Sequence, residues 1–163
     1  LMEARVELAD KHGVIEGAEI CVIGLGRLGS REMTAGSDLD LILLYDAPPD
    51  AESNGVKPLA ASMYFMRLTQ RLTSALSAPM AEGILYEVDF RLRPSGNKGP
   101  LATSFSGFSK YQRNEAWTWE HQALCRARAV AGTGALVGTG IMSMSFYPGS
   151  INAHLVGGSK RNH

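Results

Sequence analysis

The chain has 163 residues, of which 45% are hydrophobic and 20% are charged. This size and composition indicate one globular domain with a core of its own. The 16 basic and 16 acidic residues cancel to a formal net charge of zero, so no global positive field favours nonspecific binding of nucleic acid. The sequence shows no signal peptide and no run of about 18 apolar residues. We therefore expect a cytoplasmic protein whose partners include neither a membrane nor a nucleic acid.

The first half of the chain contains short apolar runs between helical segments. It opens within helical sequence, residues 2–12, which indicates a fragment of a longer protein. Residues 20–24 predict a buried strand that enters a glycine turn, and residues 27–34 have room for only about two helical turns. Residues 39–45 predict a second strand. Residues 58–78 carry apolar side chains at helical spacing, which predicts a long amphipathic helix.

The clearest alternation in the chain covers residues 84–93, where apolar side chains alternate with mostly charged ones. This pattern predicts a strand with one face on a core and with Asp89, Arg91 and Arg93 together on the other face. An acid flanked by two arginines favours a functional site over a solvated sheet edge.

The second half of the chain predicts a loop, a helical region and a tail. Residues 94–100 are rich in turn residues, and residues 104–131 predict helix, with Arg126 and Arg128 late in it, as a helix dipole favours. Residues 132–163 are rich in glycine and serine and contain no acid, which predicts an irregular tail. Three aromatic side chains are expected to pack against helices rather than stack on a base: Tyr111, Trp117 and Trp119.

Three aspartates carry the strongest chemical signal. Asp38 and Asp40 lie two residues apart in a predicted strand, so their side chains point the same way, and Asp89 follows about fifty residues later in the alternating segment. Carboxylates gathered on one face repel each other unless a cation lies between them. Magnesium prefers carboxylate, water and phosphate oxygens. The pattern therefore predicts phosphoryl or nucleotidyl transfer.

A glycine motif offers a rival interpretation. Residues 24–29 (GLGRLG) match the G-x-G-x-x-G pattern of dinucleotide-binding folds, and Asp46 lies where such a fold places its ribose-binding acid. However, only about eight residues separate Gly29 from the second strand, whereas a crossover between parallel strands needs about a dozen. The same glycines serve equally in a tight turn whose backbone N–H groups hold a triphosphate.

Several stretches resemble known families. Residues 26–32 (GRLGSRE) and 36–41 (GSDLDL) resemble the nucleotidyltransferase signature, in which a Gly-Ser turn precedes an Asp-x-Asp strand. Residues 65–71 (FMRLTQR), 83–96 (GILYEVDFRLRPSG) and 111–124 (YQRNEAWTWEHQAL) are similar to bacterial glutamine synthetase adenylyltransferase, also called glutamate-ammonia-ligase adenylyltransferase. Within that family they resemble the carboxyl-terminal, adenylylating domain more than its partner domain.

The resemblance implies an α+β nucleotidyltransferase fold, a mixed twisted β-sheet flanked by helices, with the catalytic domain over residues 1–131. It implies that Asp38 and Asp40 hold Mg²⁺ or Mn²⁺ ions that bridge the phosphates of ATP, and that Asp89 completes a second metal site. The expected nucleotide-binding residues are Gly29, Ser30, Ser37, Arg91 and Arg93. The two arginines either steady phosphates or pair with neighbouring acids, and the residues alone leave both roles open.

The resemblance also implies an activity, namely transfer of AMP from ATP to a tyrosine of glutamine synthetase, which regulates nitrogen assimilation. Nitrogen-signalling regulatory proteins would be further partners. Two alternatives stay open: phosphorolytic removal of AMP from adenylylated glutamine synthetase, and a noncatalytic nucleotide-binding fragment. After residue 131 the family would continue in acidic, helical sequence, whereas this chain continues in glycine and serine.

Overall fold

The computed structural model describes residues 1–78, 83 and 86–138 of the chain. No helix in these ranges is long and apolar enough to cross a membrane. A single turn of 3₁₀ helix, Gly96–Lys98, lies in the loop before the fourth strand. The elements in chain order are α1 (Met2–His12), β1 (Glu19–Gly24), α2 (Gly26–Ser30), β2 (Leu39–Asp46), α3 (Ala61–Leu76), β3 (Val88–Asp89), β4 (Ala102–Ser104), α4 (Phe105–Asn114), α5 (Thr118–Leu124) and β5 (Arg128–Gly132).

The strands form one mixed sheet around β1 and β2. Strand β1 is antiparallel to β2 along its whole length, from the Glu19–Asp46 pair to the Gly24–Leu41 pair, and antiparallel to β5 on its other side. Strands β3 and β4 both run parallel to β2. The expected α+β class is confirmed. Because β1 and β2 are antiparallel, the glycine motif does not begin a parallel crossover, and the dinucleotide-fold alternative is wrong.

The two central strands are covered on both faces, so successive residues of β2 enter different clusters. Leu41 and Leu43 are fully buried in a cluster with residues of α1 and α3. Ile42 and Leu44 are equally buried in a second cluster, which contains Phe108 of α4. Side chains alternate along a strand, so Asp40 emerges on the face of Ile42 and Leu44, away from α1 and α3.

Four of the expected elements are confirmed with small shifts in their ends. Helix α1 covers the residues expected, and β1 and β2 each extend by a residue. Helix α3 begins at Ala61 and ends at Leu76, slightly inside the expected range. Helix α2 is only five residues long, because Arg31 after it takes the left-handed conformation with φ 63° and ends the helix.

The expected strand over residues 84–93 is wrong at its carboxyl end. Only Val88 and Asp89 pair as a strand, and the backbone turns from Arg91 onward. The buried guanidinium of Arg93 closes this turn by donating to the carbonyl oxygens of Phe90 at 2.7 Å and Gly99 at 3.1 Å. At the other end, residues 84 and 85 lie outside the described residues.

The expectation of helix over residues 104–131 is wrong in two places. Helix α4 ends at Asn114, and a new helix starts after Trp117, because the carboxylate of Glu120 accepts the backbone N–H of Trp117 at 2.8 Å. The final stretch is strand β5, since its backbone completes the hydrogen bonds of the open edge of β1.

The folded body continues beyond residue 131. Gly132 is still part of β5, and the N–H of Thr133 donates to the carbonyl oxygen of Ile20 at 2.8 Å. The side chain of Leu136 is buried, and its N–H donates to Oε2 of Glu19 at 2.6 Å. The start of the expected irregular tail therefore belongs to the domain, while residues 139–163 lie outside the described residues.

Candidate active site

Asp40 and Asp89 meet across two neighbouring strands. Strands β2 and β3 are parallel, and Asp40 is the direct partner of Asp89 in their register. The N–H of Leu39 donates to the carbonyl oxygen of Glu87 at 2.7 Å, which fixes this register. Directly opposed residues of paired strands point to the same face of the sheet. The two carboxylates, about fifty residues apart in sequence, therefore share one surface.

Asp38 precedes β2 and is exposed at the end of a hydrogen-bonded turn. The hydroxyl oxygen of Ser37 accepts the N–H of Thr34 at 3.1 Å and lies 2.9 Å from the hydroxyl of Thr34. Arg27 of α2 donates to the same Thr34 hydroxyl at 3.0 Å. Ser37, an expected nucleotide-binding residue, is buried and uses its hydroxyl to shape the turn that presents Asp38.

Electrostatic coupling shows that the three acids lie near one another. The pKa of Asp40 is raised, first by partial burial and then by the negative charges of Asp89 and Asp38. The positive charges of Arg91 and Arg126 oppose this rise. A carboxylate whose charged form is disfavoured in this way gains most from a nearby cation.

Asp89 already has a cation beside it. The Nε atom of Arg91 donates to Oδ2 of Asp89 at 2.6 Å, and the backbone N–H of Arg91 donates to Oδ1 at 2.7 Å. This hydrogen-bonded pair lowers the pKa of Asp89. Within the described part of the chain, no group of three or more His, Cys, Asp or Glu side chains is arranged to hold a metal ion. The three expected carboxylates therefore do not form such a group among the described residues.

The donor set nevertheless fits magnesium. Mg²⁺ is usually held by one or two carboxylates together with water and substrate phosphate oxygens, and does not need a cage made only of protein ligands. Asp38 is exposed and Asp40 is half-buried beside it, so both have oxygen atoms that are hard ligands near the surface. Asp89 would join them only after Arg91 releases its oxygen atoms.

Helix α2 begins directly against Asp40. Gly26, its first residue, has φ 50°, and a Cβ atom there would lie 2.5 Å from Oδ2 of Asp40. The N–H of Gly29 donates to the carbonyl oxygen of Leu25, and the hydroxyl of Ser30 donates to that of Gly26. The N–H of Gly29 and the hydroxyl of Ser30 therefore form hydrogen bonds within the helix, although both residues were expected to bind phosphates. The amides without an intrahelical acceptor are those before Gly29, at the end of α2 nearest Asp40.

The two arginines of the alternating segment have different roles. Arg91 is exposed and pairs with Asp89, as described above. Arg93 is buried, and its guanidinium holds the loop after β3 through the carbonyl oxygens of Phe90 and Gly99. Burial lowers the pKa of Arg93. The sequence left open whether these arginines bind phosphates or pair with neighbouring groups. In the structure Arg91 pairs with an acid and Arg93 holds a loop.

The expectation that the tryptophans of this region pack against helices is wrong. Trp117 and Trp119 are 58% and 55% exposed. Tyr111 does connect two helices, because its hydroxyl donates to Oε1 of Glu120 at 2.9 Å. Trp117 directly precedes α5 and Trp119 lies in its first turn.

Two functional candidates were missed by the sequence analysis. Arg126 contributes positive charge at Asp40, and Arg128 donates to the carbonyl oxygens of Leu28 and Gly29 in α2. Both were assigned to the end of a helix and not to the site. Their spacing of two residues is typical of a strand, but nothing in the sequence pairs that strand with β1.

Comparison with known proteins identifies the family. The family model for glutamate-ammonia ligase adenylyltransferase matches residues 3–139. The chain belongs to this family. A protein of Brucella suis is 62% identical over 138 residues, covering 84% of this chain, and one of Mesorhizobium japonicum is 64% identical over 133 residues, covering 81%. One of Xanthobacter autotrophicus is 57% identical over 124 residues, covering 75% of the chain.

All three relatives of this adenylyltransferase family are named bifunctional glutamine synthetase adenylyltransferase/adenylyl-removing enzyme. The matched region covers 14% of the Brucella and Mesorhizobium proteins and 12% of the Xanthobacter protein. The chain thus spans about one seventh of the length of these relatives, and its matched region contains all the acids and arginines of the site.

Proposed function

We propose that this chain is the adenylylating nucleotidyltransferase domain of its family and transfers AMP from ATP to a tyrosine of glutamine synthetase. The observation that carries the proposal is the pairing of Asp40 with Asp89 in adjacent strands, with Asp38 next to them. The relatives' names support glutamine synthetase as the substrate. The resemblance of the alternating segment to the carboxyl-terminal domain favours addition of AMP over its removal.

Asp38 and Asp40 would hold a magnesium or manganese ion at the surface above β2. When bound, the ion neutralises charge on the phosphates of ATP and favours in-line displacement at the α-phosphorus. The new bond joins the tyrosine oxygen to the α-phosphorus, and the bond to the bridging oxygen breaks and releases pyrophosphate. The hydroxyl proton would pass to a carboxylate of the site, and from there to water, as the tyrosine attacks.

Asp89 would orient the incoming hydroxyl next to Asp40 once Arg91 has moved away. Arg91 is 71% exposed at its side chain, so it has room to move. A released guanidinium is well suited to a forked hydrogen bond with phosphate oxygens. Arg126 adds a second positive charge on the same side as Asp40. The positive charges of these two arginines would offset part of the negative charge of the triphosphate.

The phosphorolytic, adenylyl-removing activity is the second candidate, because the relatives' names include both activities. It uses the same kind of acid cluster and differs in its substrates: inorganic phosphate and adenylylated glutamine synthetase. Release of ADP from these substrates would identify it.

The decisive experiment follows the transfer of radiolabel from [α-³²P]ATP to glutamine synthetase in the presence of Mg²⁺. We expect label on the substrate with the wild-type chain and a loss of about a hundredfold or more with Asp40→Asn, as for removal of a group that stabilises transition-state charge. Asp46→Asn is the matched control, because Asp46 is exposed at the opposite end of the same strand. Near-normal transfer by Asp40→Asn would refute the assignment of the site, and a wild-type chain that binds ATP without transfer would support the noncatalytic alternative.

A further inference from the structure

Helix α2 lies wedged between the carboxylate of Asp40 and the connection from α5 to β5. At its amino end, a Cβ on Gly26 would lie 2.5 Å from Oδ2 of Asp40. At its carboxyl end, a Cβ on Gly29 would lie 1.8 Å from the carbonyl oxygen of Arg126. At Gly29 the neighbour is a backbone atom, and at Gly26 it is the carboxylate itself, so the helix lies close to its neighbours at both ends. A shift of α2 at one end must therefore be transmitted to the other.

The carboxyl end of α2 is held by Arg128. Its Nη2 atom donates to the carbonyl oxygen of Leu28 at 2.8 Å, and its Nε atom donates to that of Gly29 at 3.2 Å. These carbonyls lie at the negative end of the helix, where a cation is favourable. Arg128 is itself fixed, because its backbone pairs with Gly24 of β1. One guanidinium thus ties α2 to the rigid sheet.

The backbone of Asp40 is held in strand β2, and its carboxylate also lies against the same helix. The N–H of Leu25, the residue that precedes α2, donates to the backbone carbonyl oxygen of Asp40 at 2.9 Å. The backbone and the carboxylate of Asp40 both contact the start of α2. A helix of only five residues is not stable by itself. The position of α2, and with it the orientation of the Asp40 carboxylate, therefore depends on what holds the carboxyl end of the helix.

We propose that Arg128 is a positioning residue for the candidate metal site, which it serves by anchoring α2 so that Gly26 and Leu25 hold the Asp40 carboxylate in its ligating orientation. The inference rests on the proposed function, since it requires Asp40 to bind a cation. Arg128 acts through α2, because its guanidinium donates to two carbonyl oxygens of that helix. Partners that orient a metal ligand typically contribute 10- to 100-fold, in order of magnitude, to metal affinity.

The test is a titration of the 163-residue chain with Mn²⁺, with free Mn²⁺ followed by electron paramagnetic resonance, well below the lowest melting temperature of the variants. We expect Arg128→Met to weaken Mn²⁺ binding by about tenfold. Arg128→Lys should recover part of this loss, because an ammonium still reaches one carbonyl oxygen. The matched control is Arg113→Met, since Arg113 is exposed and donates to the carbonyl oxygen of Ser109 in its own helix, and this variant should bind Mn²⁺ like the wild type.

Two outcomes would overturn different claims. If Arg128→Met melts at a lower temperature but binds Mn²⁺ as tightly as the wild type, while Asp40→Asn loses binding, Arg128 is only a structural anchor and the inference fails. In that case the proposed function stands. If the wild type binds Mn²⁺ no better than Asp40→Asn does, the proposed metal site itself is wrong.

Discussion

Asp40 and Asp89 are partners in the sheet, yet their environments shift their pKa values in opposite directions. Burial and the neighbouring acids raise the pKa of Asp40, whereas the hydrogen bond from Arg91 lowers that of Asp89. In this pair of strands, the charged form is therefore favoured at Asp89 and disfavoured at Asp40. Asp40 is also the residue whose carboxylate lies against α2. An acid whose charged form is disfavoured by its surroundings is typical of functional sites.

The raised pKa of Asp40 has a consequence for stability. An acid whose pKa is raised on folding stabilises the fold at pH values below its ordinary pKa, and this contribution is lost as the pH rises through the raised value. At neutral pH without divalent ions, charged Asp40 is therefore a net cost, and we expect Asp40→Asn to melt at a higher temperature than the wild type. For a domain of this size, each 1 kcal/mol gained in the free energy of unfolding raises the melting temperature by about 2–4 °C. Calorimetry at pH 7 with chelator measures it.

The increase should disappear near pH 3, where Asp40 is protonated in both states. Asp46→Asn provides the control, since Asp46 is exposed at the far end of β2. Equal melting temperatures of Asp40→Asn and wild type at neutral pH would contradict the repulsion that we infer at this site.

At the level of elements, the sequence predicted those parts whose structure is determined locally. Helix α3 and strands β1 and β2 carry their own apolar periodicity, so their positions followed from it. Strand β5 has no such pattern and forms because β1 offers it an open edge. The turn after β3 depends on Arg93 reaching Gly99, a contact that no spacing rule reveals.

The site shows the same division. That Asp40 and Asp89 lie on one surface was predicted, because a strand signature and an alternating segment carry these two acids. The sequence left two roles open for Arg91, namely phosphate binding and pairing with an acid. It could not distinguish them, because the pairing with Asp89 depends on where the strand ends.

The contact between α2 and the α5–β5 connection predicts a strong effect of one methyl group. In Gly29→Ala the new Cβ would lie 1.8 Å from the carbonyl oxygen of Arg126 and 2.9 Å from that of Gly24. Both are backbone atoms and cannot rotate away, so we expect a loss of about 1–3 kcal/mol, the usual cost of overpacking. Gly138→Ala is the control, because no atom of the described residues lies within 4 Å of the Cβ position there. Urea unfolding followed by circular dichroism compares them, and equal midpoints would mean that α2 is free to move.

At the level of the whole molecule, the sheet separates two clusters of buried side chains, and the candidate site lies on the side of one of them. Among the described residues, the cluster under α1 and α3 contains thirteen buried residues. The cluster under α4 contains eight, including Leu124 of α5 and Leu136. Asp40 lies on the side of the smaller cluster. The site therefore depends on the segments that come late in the chain, α4, α5 and β5, although its signature comes early.

This dependence predicts where the chain can be shortened. A chain that ends at residue 131 lacks the Thr133–Ile20 hydrogen bond and the buried side chain of Leu136, which a chain ending at residue 138 retains. We expect the shorter chain to be less stable by about 2 kcal/mol or more, from the burial of one leucine side chain. Chemical unfolding of the two chains side by side measures the difference. Indistinguishable stabilities would show that residues 132–138 contribute nothing to the fold.

The pairing of Arg91 with Asp89 would make ion uptake at the proposed metal site an exchange. A divalent ion that recruits Asp89 must expel a guanidinium, so the net gain of positive charge is smaller than the ion's own charge. Occupancy should accordingly vary less with ionic strength than at a bare acid cluster. The expelled guanidinium then faces solvent without its counter-ion, next to the place where an anionic substrate would arrive. Loading of the cation and capture of the anion would thus be coupled through the movement of one side chain.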